Sequence, residues 1–269
     1  MAEMARTKSK DLASQSFANH ATTDSPKQII PSGEGPFLMA SQLTLDQIQH
    51  LLDFEYRPEA DIHRWILEED LEQGSEKEQA GLQGISILAK SRLQRLHDRD
   101  CKVLERAEEA ADTLLIDRMI AHNQHDPLEN IVIAKSDQIF FHSKNSQLEI
   151  TGFPDRAVGI KTKKGEFFML LVVRTATPVY FDDALTQLIL FLYGSFDALC
   201  KLLPDQDKRK TFGFITDAVN FRFALIGPDR VLRLSKKLYW VKDEKVIAAY
   251  INYGVKNVLL AGCRATSEL

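Results

Sequence analysis

The spacing of hydrophobic residues changes once along the chain, near Asp126-Pro127. From about Ser75 to His122, apolar residues recur with the step of an amphipathic helix. After Pro127, short segments alternate between apolar and polar residues, as strands with one buried face do. The pattern therefore predicts a helical region followed by a region built around a β-sheet.

Three regions are predicted on this basis. Residues 1–38 are polar, have no apolar period and are expected to be a disordered tail. Residues 39–125 form the helical region, and residues 126–269 form the sheet-containing domain.

The helical region has three predicted parts. Residues 44–47 (Thr-Leu-Asp-Gln) have the sequence of a capping box and predict a short helix over 44–52. A proline at the first helical position predicts a second helix over 58–71. The stretch 75–122 is interpreted as a helical arm or hairpin, or as a coiled-coil surface for a partner. A packed or dimerising role is favoured over a catalytic one.

The second half alternates short apolar segments with turn-forming residues. Its longest segment, Phe167–Thr175, is almost continuously apolar, which is typical of a central strand covered on both faces. Asp182 or Asp183 is predicted to cap the next helix, and a last helix is predicted over 243–260. The other strands are predicted over 138–142, 147–151, 157–161, 212–215, 221–226 and 231–234. This order, helices, then β-β-β-α-β-β, then a helix, defines an α+β or mixed α/β class.

Composition narrows the setting of the protein. Hydrophobic residues make up 44% and charged residues 27%, as in ordinary globular proteins. No apolar run is long enough for a membrane span, and no secretory signal is recognisable at the start. Cys101, Cys200 and Cys263 fit neither a disulfide framework nor a zinc site. We therefore expect an intracellular protein, cytoplasmic or nuclear, without a membrane partner.

Charge is distributed unevenly. Residues 136–269 carry 19 Lys and Arg against 14 Asp and Glu, whereas residues 1–135 carry 15 against 24. The mildly basic second half is compatible with a nucleic-acid face. Its candidate phosphate contacts are Lys161, Lys163 and Lys164 in one turn and Lys208, Arg209 and Lys210 in one loop. The alternative is an ordinary solvated surface.

The chain also has the layout of a metal-dependent phosphodiesterase. Such an enzyme needs carboxylates that share Mg²⁺ and a lysine that polarises water or phosphate. Asp155 enters one strand, and residues 172, 174 and 176 share one face of the next strand. A hairpin of these strands is expected to bring the side chains within a few ångström of each other.

At this point the chain resembles the PD-(D/E)XK, restriction-endonuclease-like superfamily, and most closely its large fungal set. The resemblance covers about residues 135–240. It rests on Gly152-x-Pro-Asp155, on the apolar strand ending Arg174-Thr-Ala176, on the helix with Gln187 and Phe191, and on Phe212-Gly-Phe-Ile-Thr-Asp217 with the aromatic strand after it. It implies a restriction-endonuclease-like core, with Asp155 as a Mg²⁺ ligand and Gln187 orienting the site.

The chain departs from this family where the family has Glu-x-Lys. The motif falls either on residues 174–176 (Arg-Thr-Ala) or on residues 172–174 (Val-Val-Arg). Neither register supplies an acid, and Arg174 cannot act as a general base because its guanidinium keeps its proton. We therefore expect a degenerate site in which Arg174 pairs with Asp155, and we expect no cofactor.

Three functions stay open from the sequence. The first is binding of DNA, RNA or protein by a nuclease fold that has lost catalysis. The second is an active Mg²⁺-dependent nuclease with relocated site residues. Candidates for relocation are Glu108, Glu109, Glu149, Lys161, Glu166 and Asp182. The third is an interaction protein that forms a homodimer, or binds a helical partner, through residues 75–122.

Overall fold

The computed structural model describes residues 37–39, 43–52, 55–57, 85–98, 102–122, 131–135, 139–142, 149–162, 167–202 and 209–268. All of them belong to one compact unit, residues 33–269. The helix predicted over 58–71 and nearly all of the predicted tail lie outside these residues. Phe37 and Leu38, the last two residues of the predicted tail, belong to a strand over Phe37–Met39.

The described elements are numbered in chain order. The helices are α1 (Leu45–Leu52), α2 (Ile87–Asp98), α3 (Val103–His122), α4 (Phe181–Leu202) and α5 (Trp240–Glu268). The strands are β1 (Phe37–Met39), β2 (Tyr56–Arg57), β3 (Ile131–Lys135), β4 (Ile139–His142), β5 (Glu149–Gly152), β6 (Arg156–Lys161), β7 (Phe167–Thr175), β8 (Thr211–Thr216), β9 (Asn220–Ile226), β10 (Leu232–Leu234) and β11 (Leu238–Tyr239). The chain is of the α+β class.

A mixed sheet organises the molecule. Its strand order is β2-β10-β9-β8-β7-β6-β3, and β11 pairs with the start of β9. β3, β6 and β7 form an antiparallel meander, α4 follows, and β8 then returns parallel to β7. β7 is the central strand that its apolar run predicts, since helices cover both faces of the sheet.

Two hydrophobic clusters cover the two faces. One joins α2, α3 and α5 to residues such as Val158, Leu171 and Phe223. The other joins α1 and α4 to the opposite face, through residues such as Val172 and Ile215. The described helices before residue 126 thus share their hydrophobic clusters with the sheet. The boundaries predicted at 38/39 and 125/126 stay predictions.

The strands predicted over 138–142 and 147–151 do form, but not in the main sheet. They are β4 and β5, which pair with each other; β5 also pairs with β1, and the three form a separate sheet. β3, which the sequence did not single out, takes the place beside β6 instead. Alternation shows that a segment is a strand but does not show which strand it pairs with, because pairing depends on distant residues.

Helix boundaries differ from the predicted ones in instructive ways. The residues 44–47 form the predicted capping box: Thr44 N–H donates to Gln47 Oε1 at 2.9 Å, and Gln47 N–H to Thr44 Oγ1 at 3.4 Å. Asp182 and Asp183 do not cap α4, because the preceding 3₁₀ turn, Pro178–Tyr180, lets the helix begin at Phe181. Both acids lie in its first turn instead.

The stretch 75–122 contains two described helices rather than one, and this is the predicted hairpin alternative. Ser86 N–H donates to Asp117 Oδ2 at 3.3 Å, which places the start of α2 beside the end of α3. The side chains of Leu93 and Leu114 enter the core. The hairpin is therefore part of the fold.

α5 begins three residues earlier than predicted and bends near its start. Asp243 has the non-helical angles φ −113° and ψ 21°, and its carboxylate accepts the Tyr239 N–H at 2.9 Å. Further along, Gly254 lets α5 approach the sheet, since a Cβ there would lie 2.4 Å from Phe212 Cδ1.

Candidate functional site

Asp155 and Arg174 meet at one edge of the main sheet. β6 and β7 pair with Arg156 opposite Val173, so the residue before β6 lies beside the end of β7. Arg174 Nη1 is 3.0 Å from Asp155 Oδ1. The ion pair expected from the sequence is confirmed.

The guanidinium of Arg174 is held on several sides. Its Nη1 also donates to the Phe153 carbonyl oxygen at 2.8 Å, and its Nη2 donates to Gln187 Oε1 at 2.6 Å. Its carbon Cζ is 5.9 Å from the ring centre of Phe191, within the range of a cation–π contact. Asp155, Arg174 and Gln187, the three predicted site residues, thus lie together.

The carboxylate of Asp155 uses both oxygens. Oδ1 faces Arg174, and Oδ2 accepts the Thr175 backbone N–H at 2.6 Å. A divalent cation bound at Asp155 would share these oxygens with the guanidinium of Arg174, whose positive charge lies 3.0 Å from Oδ1 and repels a second cation. The ion pair therefore makes cation binding less favourable than it would be at a carboxylate without a neighbouring positive charge.

The site is partly shielded from solvent. The side chain of Arg174 is 15% exposed and that of Asp155 is 25% exposed. Burial lowers the pKa of Arg174, and the negative charge of Asp155 opposes that effect. An arginine pKa starts high enough that the group stays a cation at neutral pH, so it cannot accept a proton from water. The arrangement holds a fixed ion pair and orients the side chains around it, but Arg174 cannot act as its general base.

None of the proposed relocated residues joins this site in the described part of the chain. Glu108 and Asp112 of α3 bind Arg156 on the other face of the sheet, at 3.3 and 2.6 Å. Burial opposes the charge of Arg156, but its hydrogen bonds to Asp112 and the charges of Asp112 and Glu108 outweigh burial and raise its pKa. These acids are therefore engaged in holding α3 to β6.

Among the other candidates for relocation, some have no contact with Asp155 recorded in the structure and the rest are not described. Glu109 pairs with Arg92 at 3.2 Å, and Asp182 is an exposed residue of α4. Glu166 and the side chain of Glu149 lie outside the described residues. Across the described residues, no three His, Cys, Asp or Glu side chains come together as a metal site.

The described residues among those predicted to contact phosphates lie at the opposite edge of the sheet. Lys161 pairs with Phe167 at the far end of the β6–β7 hairpin, and Arg209 and Lys210 directly precede β8, which runs parallel to β7. Arg174 lies seven residue steps along β7 from Phe167, which is roughly 23 Å at ~3.3 Å per residue. Lys163, Lys164 and Lys208 lie outside the described residues.

A different basic segment lies at the edge that carries Asp155. Residues 236–242 (Lys-Lys-Leu-Tyr-Trp-Val-Lys) include β11, and Tyr239 pairs with Asn220 at the start of β9. The three lysines, Tyr239 and Val241 are exposed, whereas Leu238 and Trp240 are buried. The lysines and aromatic residues of this segment were readable in the sequence, but the pattern of burial and the position at this edge of the sheet were not.

Comparison with known proteins does not assign this chain to a family. No protein-family model matches this chain, and no curated protein matches it. Among the described helices, none is long and apolar enough to cross a membrane.

Proposed function

We propose that this chain is a nuclease-like protein with a degenerate catalytic site that acts by binding nucleic acid or protein. The order of α3, the antiparallel meander β3-β6-β7, α4 and the parallel strand β8 supports the restriction-endonuclease-like core implied by the sequence resemblance. The turn after β8 adds support. The family pattern at this turn is Gly-x-x-Thr-Asp/Ser-Gly, and the chain has Ala218 in place of the last glycine. Ala218 has φ 76°, a conformation that favours glycine.

The ion pair between Arg174 and Asp155 carries this proposal. In a metal-dependent nuclease the carboxylate at this position is free to share Mg²⁺. Here its two oxygens contact a guanidinium and a backbone N–H. The second acid and the lysine of the family motif are absent from both possible registers of β7. The surface shape of a nuclease fold is independent of these side chains, so binding is the function that survives their loss.

A plasmid-nicking assay with Mg²⁺ or Mn²⁺ tests the loss of catalysis. We expect the wild-type protein to leave supercoiled DNA intact at concentrations at which it binds DNA. Metal-dependent nicking that Asp155→Ala abolishes would overturn the proposal. Asp229→Ala is the matched control, because Asp229 also pairs with an arginine, Arg233, but belongs to the turn before β10. Nicking that survives equally in both variants would come from a contaminant.

A second candidate, assembly through the α2–α3 hairpin, rests on a separate observation. Ile87 and Leu88 at the start of α2 are 88% and 76% exposed, and Ile116 and Ile120 near the end of α3 are also exposed. The hydrogen bond from Ser86 to Asp117 brings these two helix ends together. A cluster of exposed aliphatic side chains is typical of an interaction surface.

Light scattering on the full chain tests this candidate. A homodimer should dissociate in Leu88→Lys, while Arg95→Ala, an exposed α2 residue outside the aliphatic cluster, should remain a dimer. Deletion of the hairpin is not a usable test, because Leu93 and Leu114 belong to the core. A monomeric wild-type protein would contradict self-association.

A further inference from the structure

We propose that the segment 236–242, together with Tyr180, binds single-stranded nucleic acid. This inference rests on the proposed binding function and names its ligand and its surface. The surface lies at the same sheet edge as Asp155 and Arg174, and not at the edge that carries Lys161.

The backbone of this segment is firmly placed. β11 pairs with β9, the Trp240 N–H donates to the Val219 carbonyl oxygen at 2.8 Å, and the Tyr239 N–H donates to Asp243 Oδ2 at 2.9 Å. Leu238 and Trp240 are buried in the hydrophobic cluster beneath. Tyr239 between them and the neighbouring lysines therefore project from a backbone that is held in place, which reduces the entropy lost when a ligand binds.

Two aromatic side chains are available on this surface. Tyr180 is 62% exposed and Tyr239 is 51% exposed. The two tyrosines belong to neighbouring parts of the surface. Lys237, two residues before Tyr239, has its Nζ 4.6 Å from the ring centre of Phe181, the residue after Tyr180. Exposed aromatic rings of this kind stack on unpaired bases, which a duplex keeps inside its own stack.

The charges on the surface favour a polyanion at the lysine end. Lys236, Lys237 and Lys242 are exposed. Asp243, which directly follows the segment, is partly exposed, and its carboxylate accepts the Tyr239 N–H. Asp182 and Asp183 are exposed beside Tyr180 and repel phosphate there. The backbone phosphates are therefore expected to follow the lysines, while Tyr180 and Tyr239 contact bases.

Tyrosine and lysine side chains also occur at protein interfaces. The salt dependence of binding and the preference for single strands distinguish a nucleic-acid ligand from a protein ligand. Phosphate contacts release counterions, so binding of nucleic acid weakens steeply as salt is raised. Base stacking adds a preference for single strands over duplex of the same length.

Fluorescence anisotropy with labelled oligodeoxythymidine, oligouridine and a duplex, each about 20 nucleotides long, tests the inference. Tyr239→Ala should weaken single-strand binding about 5- to 100-fold, whereas Tyr239→Phe, which keeps the ring, should bind like the wild type. Lys237→Ala should make the negative slope of log K against log salt shallower by about 0.7, because one phosphate contact is lost. The duplex should bind more weakly and show no dependence on Tyr239.

Lys161→Ala separates this inference from the broader proposal. If wild-type protein binds single strands, and Lys161→Ala but not Tyr239→Ala removes binding, the assigned surface is wrong although the protein binds nucleic acid. If wild-type protein binds neither single strands nor duplex at low salt, the inference fails and protein remains as the proposed partner. Circular dichroism of each variant confirms that it has folded.

Discussion

The side chain of Arg174 holds parts of the fold together and also places a positive charge beside Asp155. It bonds Asp155, the Phe153 carbonyl and Gln187, and it thereby ties the start of β6, the end of β7 and α4 to each other. A lysine at this position could reach one of these acceptors but has no planar fork to reach several. The same contacts that hold three elements together also place a fixed positive charge beside the only acid of the predicted site.

Arg174→Ala should lower the free energy of unfolding by about 1–3 kcal/mol, because it leaves Asp155 and Gln187 partly buried without their partner. The free energy of unfolding of Arg174→Lys should lie between those of Arg174→Ala and the wild type. Chemical denaturation measures both. Arg92→Ala, which removes a more exposed pair with Glu109, should cost under about 1 kcal/mol and serves as the control. An equal loss in Arg92→Ala and Arg174→Ala would contradict the assigned role.

Asp117 gives the fold an acid-sensitive contact. Burial alone would raise the pKa of Asp117, but hydrogen bonds from Ser86 and Arg118 outweigh burial and lower it below the ordinary 3.8. The contact therefore contributes its full stability above about pH 4 and loses it as pH falls through the lowered value. Urea unfolding of wild type and Asp117→Asn between about pH 5 and 2 should show a smaller fall for the variant. Parallel curves would contradict this contribution.

At the scale of elements, the sheet's central strand was predictable and the pairing of its neighbours was not. The apolar run of Phe167–Thr175 predicted β7 with its bounds, because a strand covered on both faces needs apolar residues at every position. β4 and β5 have equally clear strand patterns, yet they pair in another sheet. The helical region likewise predicted helices but left the choice between an arm, a hairpin and a dimer surface open.

Close packing of α5 on the sheet depends on Gly254. A Cβ at this position would lie 2.4 Å from a carbon of the Phe212 ring and 2.8 Å from Leu171 Cδ1. Gly254→Ala should therefore lower the free energy of unfolding by about 1–3 kcal/mol, although alanine is the better helix former. Thermal unfolding measures the effect. A stabilised variant would show that α5 shifts away from Phe212 without loss.

At the scale of the whole molecule, metal ions should not stabilise the fold. A ligand that binds only the folded state raises its stability by about 2.7 kcal/mol at one hundred times its dissociation constant. Because Arg174 occupies one oxygen of Asp155, we expect the melting temperature to be the same in millimolar Mg²⁺ and in EDTA. Arg174→Ala, which uncovers the carboxylate, is the informative comparison. A Mg²⁺-dependent rise in the wild type that Asp155→Ala removes would contradict an occupied site.

The local pattern of apolar and polar residues predicted the α+β class and most of the described helices and strands. It also predicted the contact between Asp155 and Arg174, because the two strands of a hairpin lie in register. It was not enough to place residues that are far apart in sequence. The sequence pointed to Lys161 and not to the segment 236–242 as a phosphate contact, and only the strand order shows that Lys161 lies at the far edge and the segment at the edge of Asp155. Periodicity is a property of each segment by itself, whereas the position of one segment beside another depends on long-range pairing and core packing.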